Sequence, residues 1–126
     1  MSAVPKKLLS VIEFIEHAQY PALYQALGFE VIVEWQVRKA VSLVRKLKPD
    51  VIVADFYFQS DFRDRLSNLE SLLAATQLLN DFRVLVFYEP QNEHVLERVR
   101  ERMHIDTALA MPASEQAIKA VLQDWL

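Results

Sequence analysis

The sequence contains no cysteine. Disulfide bridges, thiolate metal sites and cysteine nucleophiles are therefore excluded, and such a composition is typical of proteins in the reducing interior of a cell. The sequence also lacks an apolar run near the roughly 20 residues that span a bilayer, and its first residues contain no apolar signal core. We therefore expect a cytoplasmic protein that makes no membrane contact.

Glycine is almost absent as well, since Gly28 is the single glycine of the chain. Loops that cradle phosphate groups need glycine, because their backbones adopt positive φ angles and approach the ligand closely. The sequence can therefore build neither a Walker-type loop nor a dinucleotide-binding fingerprint. Most nucleotide-dependent enzymes are excluded by this absence, and we expect a protein that is not an enzyme.

The formal net charge of −3 argues against a general nucleic-acid or anionic-membrane partner. A length of 126 residues and a hydrophobic content of 52% fit one domain with one sizeable core, over residues 1–126. One interpretation of the basic side chains is a local positive face, and the other, which we favour given the negative net charge, is a solvated helix surface. They are Lys6, Lys7, Arg38, Lys39, Arg45, Lys46 and Lys48.

Strand-like segments alternate with amphipathic helix-like segments five times along the chain. Strands are predicted over residues 8–13, 31–33, 51–55, 84–88 and 107–111. Helices are predicted over residues 21–27 and 36–48, and after N-caps at Ser67, Asn92 and Ser114. Apolar strands that alternate with helices indicate a parallel sheet covered on both faces. Because crossovers are right-handed, the predicted fold is a flavodoxin-like α/β sheet of five strands in the order 2-1-3-4-5.

Asp55 ends the third strand-like segment, Pro49-Asp50-Val51-Ile52-Val53-Ala54-Asp55. Ligands and chemistry gather at the carboxyl ends of the strands in an open parallel sheet. A carboxylate in that place is a phosphoryl acceptor, a metal ligand or the remnant of one. The sequence leaves these three roles open.

This third segment resembles the strand of CheY-like response-regulator receiver domains that ends at the phosphoacceptor aspartate. Residues 7–13 resemble the first strand of the family, and residues 27–29 resemble the turn into its second strand. The strand–helix order extends the resemblance over nearly the whole chain. It implies a flavodoxin-like fold, a role in two-component signalling, and a protein partner or a homodimer formed through the last two helices.

The chain departs from the family at the positions that carry phosphotransfer. The family places two acidic residues after the first strand, a Thr or Ser at the end of the fourth strand, and a Lys before a Pro after the fifth. Here the two acidic positions hold Ile12 and Glu13, and the fourth strand ends at Tyr88 without a Thr or Ser. Met111 stands where the family has the Lys before the Pro. The resemblance therefore implies a degenerate receiver, or pseudo-receiver, in which Asp55 is a vestigial phosphoacceptor.

Aromatic residues are concentrated directly after Asp55. They are Phe56, Tyr57, Phe58 and Phe62. One interpretation is that these rings belong to the core, because aromatic clusters are commonly buried. The other is a partner-binding surface, because a large exposed apolar patch marks an interaction site.

Three functional hypotheses follow. The first is a signalling module that binds a protein partner without phosphorylation and without a cofactor. The second is an active receiver that is phosphorylated at Asp55, with Mg²⁺ held by Glu13 and Asp55, because Mg²⁺ is bound by one or two carboxylates together with phosphate. The third is a small-molecule-binding protein with a flavodoxin-like sheet and a pocket at the strand ends.

Overall fold

The computed structural model describes residues 4–14, 20–56 and 69–126. Its centre is a five-stranded sheet in which every pair of neighbouring strands is parallel, in the order β2-β1-β3-β4-β5. The strands are β1 (Lys7–Val11), β2 (Glu30–Glu34), β3 (Val51–Phe56), β4 (Arg83–Tyr88) and β5 (Thr107–Ala110). The predicted flavodoxin-like architecture and strand order are therefore confirmed.

Five α-helices connect and follow the strands within the described ranges. They are α1 (Pro21–Ala26), α2 (Val37–Leu47), α3 (Leu69–Ala75), α4 (Glu93–Arg100) and α5 (Glu115–Gln123), with 3₁₀ turns at Thr76–Leu78 and Pro90–Asn92. In the part of the chain that the structure describes, no helix has the length and apolarity needed to cross a membrane.

The helices lie in two layers, one on each face of the sheet. Helices α2, α3 and α4 cover one face, where their apolar stripes pack on alternate strand residues such as Leu9, Ile52 and Val84. Helices α1 and α5 cover the other face and pack on the intervening residues, including Leu8 and Val53. Because both faces are covered, the central strand β3 is buried along its whole length.

Helix boundaries follow the capping chemistry of the sequence at some ends and depart from it at others. Ser114 caps α5 as predicted, since its Oγ accepts a hydrogen bond from the Ala117 backbone N–H at 3.0 Å. Asn92 occupies the N-cap position of α4, but its side chain makes no capping hydrogen bond, so that predicted cap is wrong. The predicted cap at Ser67 lies outside the described residues.

At the amino edge of the sheet, two aspartates each accept a hydrogen bond from the backbone of a neighbouring strand. Asp50 Oδ2 accepts a hydrogen bond from the Lys7 backbone N–H at 2.9 Å, which connects the entry of β3 to β1. Asp106 Oδ2 accepts one from the Val84 backbone N–H at 2.7 Å, which connects the entry of β5 to β4. Carboxylates on this sheet therefore satisfy backbone donors of the neighbouring strand.

Candidate functional site

Asp55 lies near the carboxyl end of β3, where the predicted site was expected. The residue is only 3% exposed to solvent. Oδ1 accepts a hydrogen bond from the Glu13 backbone N–H, and Oδ2 accepts one from the Phe14 backbone N–H, both at 3.0 Å. The carboxylate therefore holds the chain that leaves β1, in the way that an N-cap side chain holds the first turn of a helix.

These two hydrogen bonds are charge-assisted, because an ionised carboxylate meets two backbone dipoles. Both donors are partly buried and follow the end of β1 at Val11. Buried backbone N–H groups need acceptors, and the Asp55 carboxylate supplies one to each. Asp55 therefore stabilises the segment after β1 through these hydrogen bonds, and this role does not require a ligand.

The residue beside Asp55 in the sheet is Phe87. The register of β3 and β4 pairs Asp55 with Phe87 and Phe56 with Tyr88. Side chains of paired residues in parallel strands lie on the same face of the sheet. The Phe87 ring is fully buried and belongs to the apolar cluster under α1 and α5, together with Ile12 and Met111.

The Asp55 carboxylate therefore lies on a face of the sheet whose other strand-end residues are apolar. Ile12 and Phe87 are fully buried, and Met111 is 9% exposed. None of these three side chains offers an oxygen ligand, a hydroxyl donor or a cation.

Solved structures with the same architecture are receiver domains. The CheY-like response-regulator receiver domain of Methylobacillus flagellatus is 15% identical, with a TM-score of 0.71 over 98% of this chain and 100% of its own. Chemotaxis protein CheY4 of Vibrio cholerae is 19% identical, with a TM-score of 0.71 and the same two coverages. The receiver domain of a Pseudomonas aeruginosa sensor histidine kinase, which has magnesium in its active-site cleft, is 16% identical at a TM-score of 0.69 over 97% and 98%.

This chain has the CheY-like receiver fold. The resemblance drawn from the sequence is thereby confirmed for the fold. No protein-family model matches the sequence, and no curated protein matches it.

The receiver fold allows the substituted positions to be located. Ile12, Met111 and Asp55 all lie at the carboxyl edge of the sheet, and both apolar residues are buried there. Tyr88 does not share this site, because it packs in the opposite layer with the cluster under α2, α3 and α4. Phe87, rather than Tyr88, lies beside Asp55 on the strand that carries the Thr or Ser of the family.

The position of Phe87 was missed because β4 is buried on both faces. A strand with one solvated face shows its orientation as an alternation of polar and apolar residues, but Val84, Leu85, Val86 and Phe87 are all fully buried. The spacing along β4 could have shown the orientation of Phe87. Phe87 lies two residues after Leu85, so both side chains are on one face of the sheet, and Leu85 packs in the layer of Val53.

Glu13 and Asp55 were predicted as two Mg²⁺ ligands. The structure joins them through the backbone, because the Glu13 N–H donates a hydrogen bond to the Asp55 carboxylate. The Glu13 side chain lines a cavity with Trp35 and Arg38. Within the described ranges, no group of three or more His, Asp or Glu side chains is arranged to hold a metal ion. Because Mg²⁺ requires oxygen ligands in an octahedron, the apolar residues Ile12, Phe87 and Met111 fit such a site poorly.

The aromatic residues after Asp55 divide between the described and undescribed parts of the chain. Phe56 is fully buried and packs in the layer of α2, α3 and α4, so it contributes nothing to an exposed surface. Its assignment to a partner surface was wrong, because β3 extends one residue beyond Asp55 and directs this ring to the opposite layer. Tyr57, Phe58 and Phe62 lie outside the described residues.

A buried hydroxyl lies in the layer of α1 and α5. The Tyr24 ring is fully buried, and among the described residues its hydroxyl oxygen makes no hydrogen bond of good geometry, although Ser10 of β1 lies beside it. Burial raises the pKa of Tyr24 well above its ordinary value, and the neighbouring Tyr20 raises it further. This side chain remains a neutral part of the core over the physiological pH range.

Proposed function

We propose that the chain is a receiver-like signalling module that binds a protein partner without phosphorylation of Asp55. The observation that supports this proposal is the hydrogen bonding of the Asp55 carboxylate to the Glu13 and Phe14 backbone N–H groups. A phosphoryl acceptor must present one carboxylate oxygen to the donor, whereas each Asp55 oxygen accepts a backbone hydrogen bond and the residue is 3% exposed.

The apolar neighbours of Asp55 support the same conclusion. Phosphoryl transfer is accelerated mainly by fixed cations and donors that stabilise the charge of the transition state. Removal of one such group costs about 3 kcal/mol of that stabilisation, which is a rate factor of roughly a hundredfold or more. Phe87 and Met111 both lie in the buried apolar cluster on the face of Asp55. The family's hydroxyl and cation, which would stabilise the charge of the transition state, are therefore both missing.

The remaining parts of the proposal come from the composition of the chain and from the resemblance. We propose a cytoplasmic, non-enzymatic protein that needs no metal or other cofactor and does not bind nucleic acid. A homodimer through α4 and α5 is the corresponding proposal for self-association, and sedimentation velocity at several concentrations measures it directly.

Intact-mass spectrometry tests the lack of phosphorylation. The purified chain is incubated with Mg²⁺ and acetyl phosphate, and the wild type is compared with Asp55→Asn. We expect no phosphoryl adduct on either protein. An adduct on the wild type that Asp55→Asn abolishes would show an active receiver and contradict the proposal.

A second variant tests whether Asp55 is phosphorylated slowly, for lack of a neighbouring hydroxyl, or is not phosphorylated at all. The Phe87→Thr variant places a hydroxyl beside Asp55, in the register position that the structure assigns. If Asp55 is held by the backbone as described, this variant also stays unmodified, because the carboxylate oxygens remain bonded to Glu13 and Phe14.

A further inference from the structure

A groove runs between helices α2 and α3 on the outer surface of one layer. It consists of two adjoining cavities of about 590 and 280 Å³, which share Val41 and Ser71 in their walls. The first cavity begins at Trp35, just before α2, and the second ends at Gln77, just after α3. Its length along α2, from Gln36 to Arg45, corresponds to roughly 14 Å, or about two and a half helical turns.

The floor and one wall of the groove are apolar or small. Val37 and Val41 contribute from α2, and Ala74 and Ala75 contribute from α3. Trp35 lines the first cavity and is 52% exposed, although large aromatic residues are usually buried. The backbone around this ring is fixed, because Glu34 Oε2 accepts hydrogen bonds from the Trp35 and Gln36 N–H groups at 2.9 and 3.1 Å.

The rim that α2 contributes is positively charged. Arg38 and Arg45 both line the groove and lie seven residues apart, which places them on one face of the helix about 10 Å from each other. No acidic residue occurs in α2, and among the described residues neither arginine forms an ion pair.

The opposite wall does not neutralise these arginines. The acidic residue of α3, Glu70, forms an ion pair with Arg102 at 3.1 Å. Among the described residues that line the two cavities, Glu13 is the single acidic side chain, and it lies at the Trp35 end. The groove therefore combines an apolar floor with a rim of net positive charge, on a chain whose overall charge is −3.

We infer that this groove binds an acidic amphipathic helix of a partner protein. Aliphatic side chains of the partner would lie on Val37, Val41 and Ala74, beside the exposed Trp35 ring, and carboxylates two turns apart would meet Arg38 and Arg45. Helix-in-groove recognition uses this spacing of anchors. A nucleic acid is disfavoured, because its phosphates gain nothing from a floor of valine and alanine.

This inference rests on the proposed function and names the surface and the partner chemistry for it. The probe is a fluorescein-labelled helical peptide of about 15 residues, or roughly four turns, with leucines on one face and glutamates beside them. A scrambled peptide of the same composition and a short DNA duplex serve as comparison ligands. Fluorescence anisotropy gives Kd, and quenching of the Trp35 fluorescence reports contact at the groove.

Two charge-reversal pairs on the same helix provide the matched test. Arg38→Glu with Arg45→Glu changes the groove, whereas Lys39→Glu with Lys46→Glu makes the same charge change at exposed positions that line neither cavity. We expect the arginine pair to weaken peptide binding by about tenfold or more, and the lysine pair by less than about threefold. Trp35→Ala is expected to weaken binding as well, with no change in net charge.

Several outcomes would overturn the inference. They are equal losses for the two pairs, equal affinity for the scrambled peptide, tighter binding of the DNA duplex, or no peptide binding below millimolar concentration. Circular dichroism verifies that each variant is folded, and Arg38→Gln with Arg45→Gln replaces the charge-reversal pair if it is not. Because no phosphodonor is present, these results are independent of the intact-mass experiment, so the groove and the proposed function can fail separately.

Discussion

Asp55 Oδ2 accepts a hydrogen bond of 3.0 Å from the Phe14 backbone N–H, and these two residues lie 41 positions apart in the sequence. The bond joins the carboxyl end of the central strand to the chain that leaves β1. Together with the parallel bond to Glu13, it turns a carboxylate at the catalytic edge of a receiver fold into part of the scaffold.

Replacement of Phe87 by threonine is expected to destabilise the protein by about 3 kcal/mol. Phe87 is fully buried beside Asp55, and large-to-small substitutions in a core lose transfer free energy and leave a cavity. Phe87→Leu is the control and should cost only about 1 kcal/mol, because most of the apolar volume remains. Urea denaturation measures both values. If Phe87→Thr left the free energy of unfolding unchanged, this edge of the sheet would be a solvated pocket instead of a packed one.

Loss of the Tyr24 hydroxyl is expected to change stability only at high pH. The folded-state pKa of Tyr24 is raised above its ordinary value of 10.0. The unfolded chain therefore releases this proton first, so the tyrosine lowers stability as the pH rises above about 10, by up to about 1.4 kcal/mol per pH unit.

Thermal or urea unfolding from pH 7 to 11 tests this dependence. Tyr24→Phe should match or slightly exceed the wild type at pH 7, since the hydroxyl makes no hydrogen bond of good geometry to the described residues, and should lose less stability above pH 10. Identical alkaline profiles for Tyr24→Phe and the wild type would refute the assignment.

The two helix caps are expected to differ in their contribution to stability. Ser114→Ala removes the hydrogen bond from the Ala117 N–H and should cost about 1 kcal/mol. Asn92→Ala is the matched control at the start of α4, where the side chain makes no capping bond, and should cost only about 0.3 kcal/mol or less. The free energies of unfolding from urea titrations distinguish these values, and equal costs would contradict the capping geometry.

Much of the fold could be predicted from the sequence because the apolar pattern and the handedness of crossovers leave few topologies. The apolar run 51–55 and the amphipathic spacing of α2 appear where expected, and the strand order followed from them. The third strand was predicted to end at Asp55, however, and it continues through Phe56, which places that ring in the core.

The site was harder to predict than the sheet. The position of Asp55 follows from the sequence, but its hydrogen-bond donors are backbone N–H groups, which every residue except proline carries and which leave no sequence signal. The choice between Phe87 and Tyr88 depended on strand register within a fully buried strand. The groove at Arg38 and Arg45 could not be predicted, because it depends on the packing of α3, whose lining residues are uncharged, against α2.

The free energy of unfolding of Asp55→Asn, with and without Mg²⁺, tests the central claim that Asp55 is a scaffold residue. In an acidic metal site, neutralising one carboxylate relieves repulsion, so the variant would be more stable than the wild type without metal. In the arrangement described here, asparagine keeps one acceptor but turns an amide NH₂ group toward the other backbone N–H.

We predict that Asp55→Asn is less stable than the wild type by about 2 kcal/mol and that Mg²⁺ changes neither protein. A variant more stable than the wild type, together with stabilisation of the wild type by Mg²⁺, would contradict the account.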